Sequence, residues 1–282
     1  MKQETIEYDE MSYSPCRYGN SRMLFRGPRR NLDQPYIAFI GGTETYGKFI
    51  PKPFPSIVEK VMRQTCVNLG CVNGGIDAFV NDPAVMEICK ESEMTVVQIM
   101  GANYLSNRFY SVHPRRNDRF LRVSTVLQAI YDDVDFSEFS FVRHMLSALH
   151  TKSPERFDIV VNELREAWLA RMRLMLKKIG SRTVLLWFSE EELNDEHWAT
   201  RQDQLQVDPL FITLSMLEEL RPMVQDVVLV NPSAQALATG TDGMKFPESQ
   251  GDVASEMLGC ASHVEVGSKL IPSLREHLYK IA

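Results

Sequence analysis

A short apolar segment near the start of the chain most constrains how the chain can fold. Residues 36–40 read Tyr-Ile-Ala-Phe-Ile and are followed at once by Gly41, Gly42 and Thr43. An uninterrupted apolar run of this length is typical of a parallel strand buried on both faces. Glycines after such a strand let the chain turn at the carboxyl edge of the sheet, where open α/β folds bind ligands. Gly-Gly-Thr also fits an ordinary turn, so one such run by itself does not indicate a ligand site.

The pattern does recur, because further apolar runs alternate with amphipathic stretches. The strand candidates are residues 36–40, 66–69, 94–100, 183–188 and 226–230, and the helix candidates include 55–65, 155–178 and 268–281. Strand–helix alternation predicts parallel strands with helices on both faces. We therefore predict one three-layer α/β/α domain of flavodoxin-like architecture over residues 35–282, preceded by an N-terminal arm over 1–34 that packs on the domain or on a partner. A helical insertion at about 104–182 should carry helices near 118–131, 136–150 and 155–178.

Composition argues against several functional classes. The 282 residues carry a formal charge of −6 at pH 7, whereas general nucleic-acid binders need an excess of Lys and Arg. An acidic start and the lack of a long apolar stretch predict a cytoplasmic protein without a secretory signal or a membrane span. Five cysteines without C-x-x-C spacing predict reduced thiols rather than disulfides or structural zinc. Nucleotide-binding fingerprints are missing too, so we expect neither a metal nor a cofactor.

Polar residues follow three of the strand candidates, and another precedes the last helix candidate. Thr43 follows the first strand, Gly70 and Asn73 follow the second, Asn103 follows the third, and His263 stands shortly before the terminal helix. The carboxyl ends of parallel strands meet at one edge of a sheet, so we expect these groups to lie close together. A hydroxyl, amide donors and an imidazole are the groups that acyl transfer needs as nucleophile, oxyanion donors and general base.

The order of these blocks resembles that of the SGNH, or GDSL-like, hydrolase superfamily. Gly41-Gly42-Thr43 stands where that family has Gly-Asp-Ser, Asn68-Leu69-Gly70 looks like its second block, Gly101-Ala102-Asn103 looks like its Gly-x-Asn block, and His263 looks like its final histidine. The resemblance spans about 36–103 and 226–282.

The resemblance implies an esterase or acyltransferase that acts on a small polar or anionic ester. Thr43 would be the nucleophile, His263 the general base, and Gly70 and Asn103 the donors of the oxyanion hole. The only partner implied is therefore a small-molecule substrate.

Three positions depart from the pattern of that family. Thr43 replaces Ser and adds a methyl group that restricts χ1, and Gly42 replaces Asp. Cys260 replaces the Asp that orients the histidine, so that Glu265, Asp252 or a backbone carbonyl would have to substitute for it. The alternative interpretation is a catalytically re-purposed or inactive protein that binds a small anionic ligand or a partner.

A basic segment directly follows the Gly-x-Asn block. Residues 107–119 contain four arginines and a histidine in an otherwise acidic chain, and guanidinium groups bind carboxylate, phosphate and sulfate bidentately. We therefore predict an anion pocket, and the alternative is a solvated loop whose arginines pair with nearby acids. The predicted substrate contacts are Glu44, Asn73, Arg108, His113, Arg115 and Arg116. A third interpretation is different chemistry in this pocket, run by Glu44 and the arginines.

Three minor alternatives remain. Cys71, in the glycine-rich turn after the second strand, is an alternative nucleophile. His197 has acidic neighbours, but no second histidine at helical spacing supports a metal there. A homo-oligomer formed through the N-terminal arm or the helical insertion is a further alternative.

Overall fold

A central parallel sheet organises the protein, whose computed structural model describes residues 11–196, 205 and 208–279. The sheet strands are β1 (Tyr36–Ile40), β2 (Thr65–Asn68), β3 (Met94–Gln98), β6 (Thr183–Phe188) and β7 (Asp226–Val230), and a separate antiparallel hairpin joins β4 (Tyr110–Val112) to β5 (Phe120–Val123). The parallel strands lie in the order β2-β1-β3-β6-β7. The strand order reverses between β1 and β3, where flavodoxin-like sheets bind ligands, so the predicted fold class is confirmed.

Helices cover both faces of the sheet. They are α1 (Thr43–Tyr46), α2 (Phe54–Met62), α3 (Ile76–Val80), α4 (Pro83–Glu91), α5 (Thr125–Ile130), α6 (Val142–Lys152), α7 (Pro154–Ile179), α8 (Leu214–Leu220), α9 (Ala234–Ala238), α10 (Gly251–Ser255) and α11 (Cys260–Tyr279). Among the described residues, no helix is long and apolar enough to cross a bilayer. His197, the weak metal candidate, lies outside the described residues.

Two hydrophobic clusters fill the two sides of the sheet. Successive strand residues point to opposite faces, so Ala38 and Ile40 of β1 enter one cluster while Ile37 and Phe39 enter the other. The first cluster packs against α3, α4, α6 and α7 and includes Tyr18, Met23 and Phe25 from the N-terminal segment. The second packs against α2 and α11. Strands β1, β3 and β6 are thus buried on both faces, as their continuous apolar sequences predict, whereas the edge strand β7 is partly exposed.

Several predicted helix boundaries are wrong. One is the start of the helix predicted at 136–150, because α6 begins only at Val142. The terminal helix begins at Cys260 rather than Ser268, so His263 lies inside it. Gly267 looks like a helix breaker in the sequence, but a Cβ there would lie 2.8 Å from Ile57, so the glycine instead lets α11 approach α2. The helix predicted at 118–131 is shorter, because residues 120–123 pair with β4 as a strand.

A side chain caps the outer edge of the sheet at β2. The backbone N–H of Cys66 donates to Glu59 Oε2 at 3.0 Å, and Glu59 Oε1 forms an ion pair with Arg30 at 2.8 Å. An edge N–H that would otherwise face solvent is therefore satisfied by α2.

Candidate functional site

The loops after β1 and β2 meet at Thr43 and Asn73. Thr43 is the first residue of α1 and is half-buried, and its Oγ1 accepts the backbone N–H of Asn73 at 3.0 Å. The same hydroxyl lies 3.5 Å from Asn73 Oδ1. Asn73 has a left-handed backbone (φ 54°), which Asn adopts more readily than most residues. The structure thus brings these two predicted site residues together.

Gln98, the last residue of β3, holds the turn after β1. Its Oε1 accepts the N–H of Gly42 at 3.1 Å, the N–H of Thr45 at 3.1 Å and the hydroxyl of Thr45 at 2.5 Å. These donors fix which end of the amide is oxygen, so Nε2 is the group that donates to Glu44 Oε2 at 2.8 Å. Burial, reinforced by nearby Asp208, raises the pKa of the Glu44 carboxyl.

Gly70 lies directly under α1. A Cβ at this position would overlap the backbone nitrogen of Tyr46, so only glycine lets the loop after β2 approach that closely. Its N–H donates to Asn68 Oδ1 at 2.9 Å, and Asn68 Nδ2 donates to the Thr45 carbonyl at 2.7 Å. The N–H that the family resemblance assigns to an oxyanion hole is therefore engaged by a neighbouring side chain.

Asn103, after β3, is fully buried with both amide atoms unpartnered in the part of the chain that the structure describes. A Cβ on Gly101 would overlap Asn103 Oδ1 and lie 3.3 Å from Asp208 Oδ1, so the amide and that carboxylate border the same glycine. An unpartnered buried amide costs about 1–3 kcal/mol. Such an atom in a native fold often marks a functional position.

Acidic and aromatic residues surround these strand tips. Asp118 is 6% exposed; its Oδ2 accepts Asn73 Nδ2 at 3.4 Å, and its Oδ1 is buried without a hydrogen-bond partner among the described residues. Burial, with Asp208 adding to it, raises the pKa of Tyr104. Arg143 donates to Asp208 Oδ2 at 2.7 Å. We call the group formed by Thr43, Glu44, Asn73, Asn103, Tyr104, Asp118 and Asp208 the strand-tip cluster.

His263 belongs to a different environment. It lies in the first turn of α11, is 1% exposed, and stacks on Phe54 with its edge to Phe188 at ring-centroid distances of 5.8 and 5.3 Å. Its Nδ1 accepts the backbone N–H of Phe54 at 3.3 Å. Pro53, at the N-cap of α2, has no side-chain acceptor, so the imidazole supplies the cap. Burial, with a smaller effect of Arg26, lowers the pKa of His263 to about 3 and keeps the ring neutral.

No hydrogen bond joins Thr43 to His263 among the residues that the structure describes. Glu265, one of the predicted substitutes for the orienting Asp, bonds to a different residue in the described part of the chain. Glu265 accepts the N–H and hydroxyl of Ser233 at 2.8 and 2.6 Å, which caps α9. The two groups that acyl transfer requires in contact are thus engaged elsewhere.

The arginine side chains of the basic segment bond or point elsewhere than to the strand-tip cluster in the part of the chain that the structure describes. Arg108 pairs with Glu163 and Glu166 of α7, and its backbone N–H also donates to Glu163 at 3.0 Å. Arg115 and Arg116 are exposed, and their backbone N–H groups donate to His113 Nδ1 at 3.3 and 3.1 Å. In the described ranges, no ion pair or hydrogen bond joins these three side chains to the cluster. This geometry matches the solvated loop rather than the anion pocket.

Two further alternatives have structural outcomes. Burial, with a smaller contribution from Asp118, raises the pKa of Cys71 to about 11, so this thiol stays protonated at neutral pH and is a weak nucleophile. Groups of three or more His, Cys, Asp or Glu with metal-binding geometry are missing from the residues that the structure describes.

Several residues of this site were missed in the sequence. Gln98 lies at the end of an apolar strand in the sequence. A single amide side chain there is only a weak indication that the residue holds the neighbouring turn. Tyr104, Arg143 and Asp208 carried no signal, because they come from separate loops that only the folded chain brings together.

Similarity to solved structures is weak. A carbohydrate esterase family 2 enzyme with a carbohydrate-binding domain from Corynascus thermopiles (Myceliophthora fergusii) is 11% identical, with a TM-score of 0.44 over 89% of this chain and 69% of that chain. An acetyl xylan esterase from Butyrivibrio proteoclasticus is 8% identical, with a TM-score of 0.41 over 91% and 67%. A lipase from a goat rumen metagenome is 10% identical, with a TM-score of 0.39 over 85% and 97%. Likenesses this loose carry no argument about activity.

Sequence comparison gives a family but no characterised relative. Among curated proteins, none matches the chain. The family model described as a domain of unknown function (DUF6473) matches residues 1–278, and the chain therefore belongs to the DUF6473 family.

Proposed function

We propose that the protein binds a small polar molecule at the strand-tip cluster and does not run acyl transfer through Thr43 and His263. The observation that carries the proposal is the set of buried polar atoms without partners among the described residues, the Asn103 amide and Asp118 Oδ1, at the sheet edge where parallel α/β folds bind ligands. Buried polar groups are normally hydrogen-bonded, so a bound molecule that supplies the missing partners would recover their desolvation cost.

The hydrogen bonds of the two predicted catalytic residues support binding over catalysis. Thr43 Oγ1 accepts the N–H of Asn73, and His263 Nδ1 accepts the N–H of Phe54. A general base must reach the proton that it removes, directly or through one water. A histidine sealed between two phenylalanine rings and used as a helix cap is poorly suited to that task.

Ester hydrolysis or acyl transfer at Thr43, of the SGNH-like kind, is the second candidate. The observation that favours it is Glu44, whose carboxyl is oriented by Gln98 and has a raised pKa one residue from the Thr43 hydroxyl. A carboxyl group with a raised pKa at a strand tip can act as a general acid or base. In this arrangement Glu44 replaces His263.

One labelling experiment separates the two candidates. Wild-type protein and the Thr43→Val variant are incubated with a fluorophosphonate and with p-nitrophenyl acetate, and intact mass is recorded. We expect no adduct in either protein. An adduct on the wild type that is lost in Thr43→Val would overturn the binding proposal in favour of acyl chemistry, and its loss in Glu44→Gln would assign the base.

The binding proposal is tested by NMR titration with glucose, glucosamine, acetate and inorganic phosphate. We expect at least one of them to shift the backbone amide signals of Asn73 and Asp118 in a saturable way, while the matched exposed-loop variant Arg115→Gln binds equally well. If none of the four shifts these signals, the proposal fails.

A further inference from the structure

Among the residues that the structure describes, negative charge predominates at the strand-tip cluster. Three of its members carry carboxyl groups, Glu44, Asp118 and Asp208. Arg143 approaches them, and it already donates to Asp208 Oδ2 and to the Leu205 carbonyl, each at 2.7 Å. Arg108, which the sequence assigned to an anion pocket, is neutralised by Glu163 and Glu166 instead. An anionic ligand would therefore meet like charges here.

The cluster also has more acceptors than donors. Two donors at the cluster are already used: Asn73 Nδ2 donates to Asp118 Oδ2, and Gln98 Nε2, from the end of β3, donates to Glu44 Oε2. Asp118 Oδ1 remains buried without a donor in the part of the chain that the structure describes. An ionised carboxylate is a pure acceptor, so the group missing at Asp118 Oδ1 is an N–H or O–H donor, and an ammonium group carries three such donors.

A second, independent feature points to a ligand at this position. The Asn103 amide is fully buried and lacks partners for both of its atoms among the described residues, and its Oδ1 borders Gly101 beside Asp208 Oδ1. It lies on a different loop from Asp118 and carries no charge. A ligand with hydroxyl groups beside its cation would satisfy such an amide, since a hydroxyl both donates and accepts.

We infer that the ligand is a hydroxylated amine, a molecule with an ammonium group next to hydroxyl groups. The ammonium pairs with the carboxylates of Asp118 and Glu44, and the hydroxyls bond to Thr43, Asn73 and Asn103. The inference rests on the proposed binding function and names its ligand class. The raised pKa of Glu44 is consistent with it, because a carboxyl group buried near other acids is stabilised in its charged form by an incoming cation.

Matched sugars test the inference. D-glucosamine and D-glucose differ in one ammonium group, and we expect glucosamine to bind at least 10-fold more tightly in titrations followed by the amide signals of Asn73 and Asp118. Asp118→Asn keeps the side-chain shape and removes the charge, so it should reduce this preference to about 3-fold or less. Glu44→Gln serves as a second variant if Asp118→Asn does not fold, and Arg115→Gln is the matched control that should keep the full preference.

Each outcome separates this inference from the function on which it rests. Equal binding of both sugars would overturn the amine assignment and leave the binding function intact. Tighter binding of acetate or inorganic phosphate would overturn it in favour of an anion site. Binding of none of the four probes would overturn the proposed function together with the inference.

Discussion

The sequence predicts that the strand-tip cluster and His263 form one catalytic site, yet the two regions differ in polarity and in hydrogen bonding. At the strand tips, polar side chains bond to one another, and several buried atoms still lack partners among the described residues. Around His263 the environment is aromatic, and Nδ1 of the ring is used to cap α2. The comparison teaches that the order of blocks along a chain can place a residue near the right end of a sheet without directing its side chain toward the site.

The largest expected effect is on the pH dependence of stability. Burial lowers the pKa of His263 from 6.5 to about 3, so between these values the unfolded chain binds a proton that the folded chain does not. Stability should therefore fall as the pH drops from about 6.5 toward 3, by on the order of 4 kcal/mol from this residue. Urea unfolding at pH 7.5, 6 and 4.5 follows this loss. His263→Asn does not titrate and should show a flatter profile; identical profiles would contradict the buried, neutral imidazole.

Truncating His263 should have the next largest effect. His263→Ala removes the acceptor of the Phe54 N–H and leaves a cavity beside Phe188, so we expect a loss of about 3 kcal/mol in the free energy of unfolding. His263→Asn, whose Oδ1 can replace Nδ1, should recover part of it. Ligand binding at the strand-tip cluster should be unchanged in both. A folded His263→Ala protein that no longer binds would show that the two regions act together.

Gly70→Ala should cost about 2 kcal/mol, because the new methyl group overlaps the backbone at Tyr46 and must push α1 away. Gly251→Ala is the matched control, since a Cβ there meets open space in a helical backbone and should be neutral or slightly stabilising. Thermal unfolding of the two variants measures the difference. Equal melting temperatures would contradict this prediction, because they would mean that α1 moves to accommodate the methyl group at little cost.

The smallest expected effect comes from Thr43. Thr43→Val keeps the shape but removes the acceptor for the N–H of Asn73, which is exposed and can bond to water instead, so the loss should be about 0.5 kcal/mol. Chemical denaturation of Thr43→Val and His263→Ala under the same conditions compares their losses in the free energy of unfolding. A loss as large as that of His263→Ala would contradict the contrast between an open polar edge and a sealed aromatic one.

Much of the fold could be predicted from the sequence, because buried parallel strands are continuous apolar runs. Strands β1, β6 and β7 have the predicted limits, since Gly41 and Asn231 end two of them with turn-forming residues. The pairing of β4 with β5 could not be predicted, because only the contact between the two strands makes residues 120–123 extended.

The proximity of Thr43 and Asn73 could be predicted, because they lie in the turns after β1 and β2, which a parallel sheet brings together. Their roles stay predictions. The sequence places His263 before the terminal helix, whereas α11 begins at Cys260 and includes Gly267, which contacts Ile57. The direction of the imidazole depends on packing between α2 and α11, which no local pattern records.

The hydrogen bond from the backbone N–H of Cys66 to the Glu59 side chain protects the molecule against association through the edge of its sheet. A free strand edge is a template on which another chain can add its own strand, and natural proteins block such edges to avoid aggregation. Here a charged helix residue occupies that position on β2 and is itself held by Arg30. Glu59→Leu would therefore expose an edge N–H and remove a charge at once, and we expect concentration-dependent aggregation in light scattering where the wild type stays dispersed.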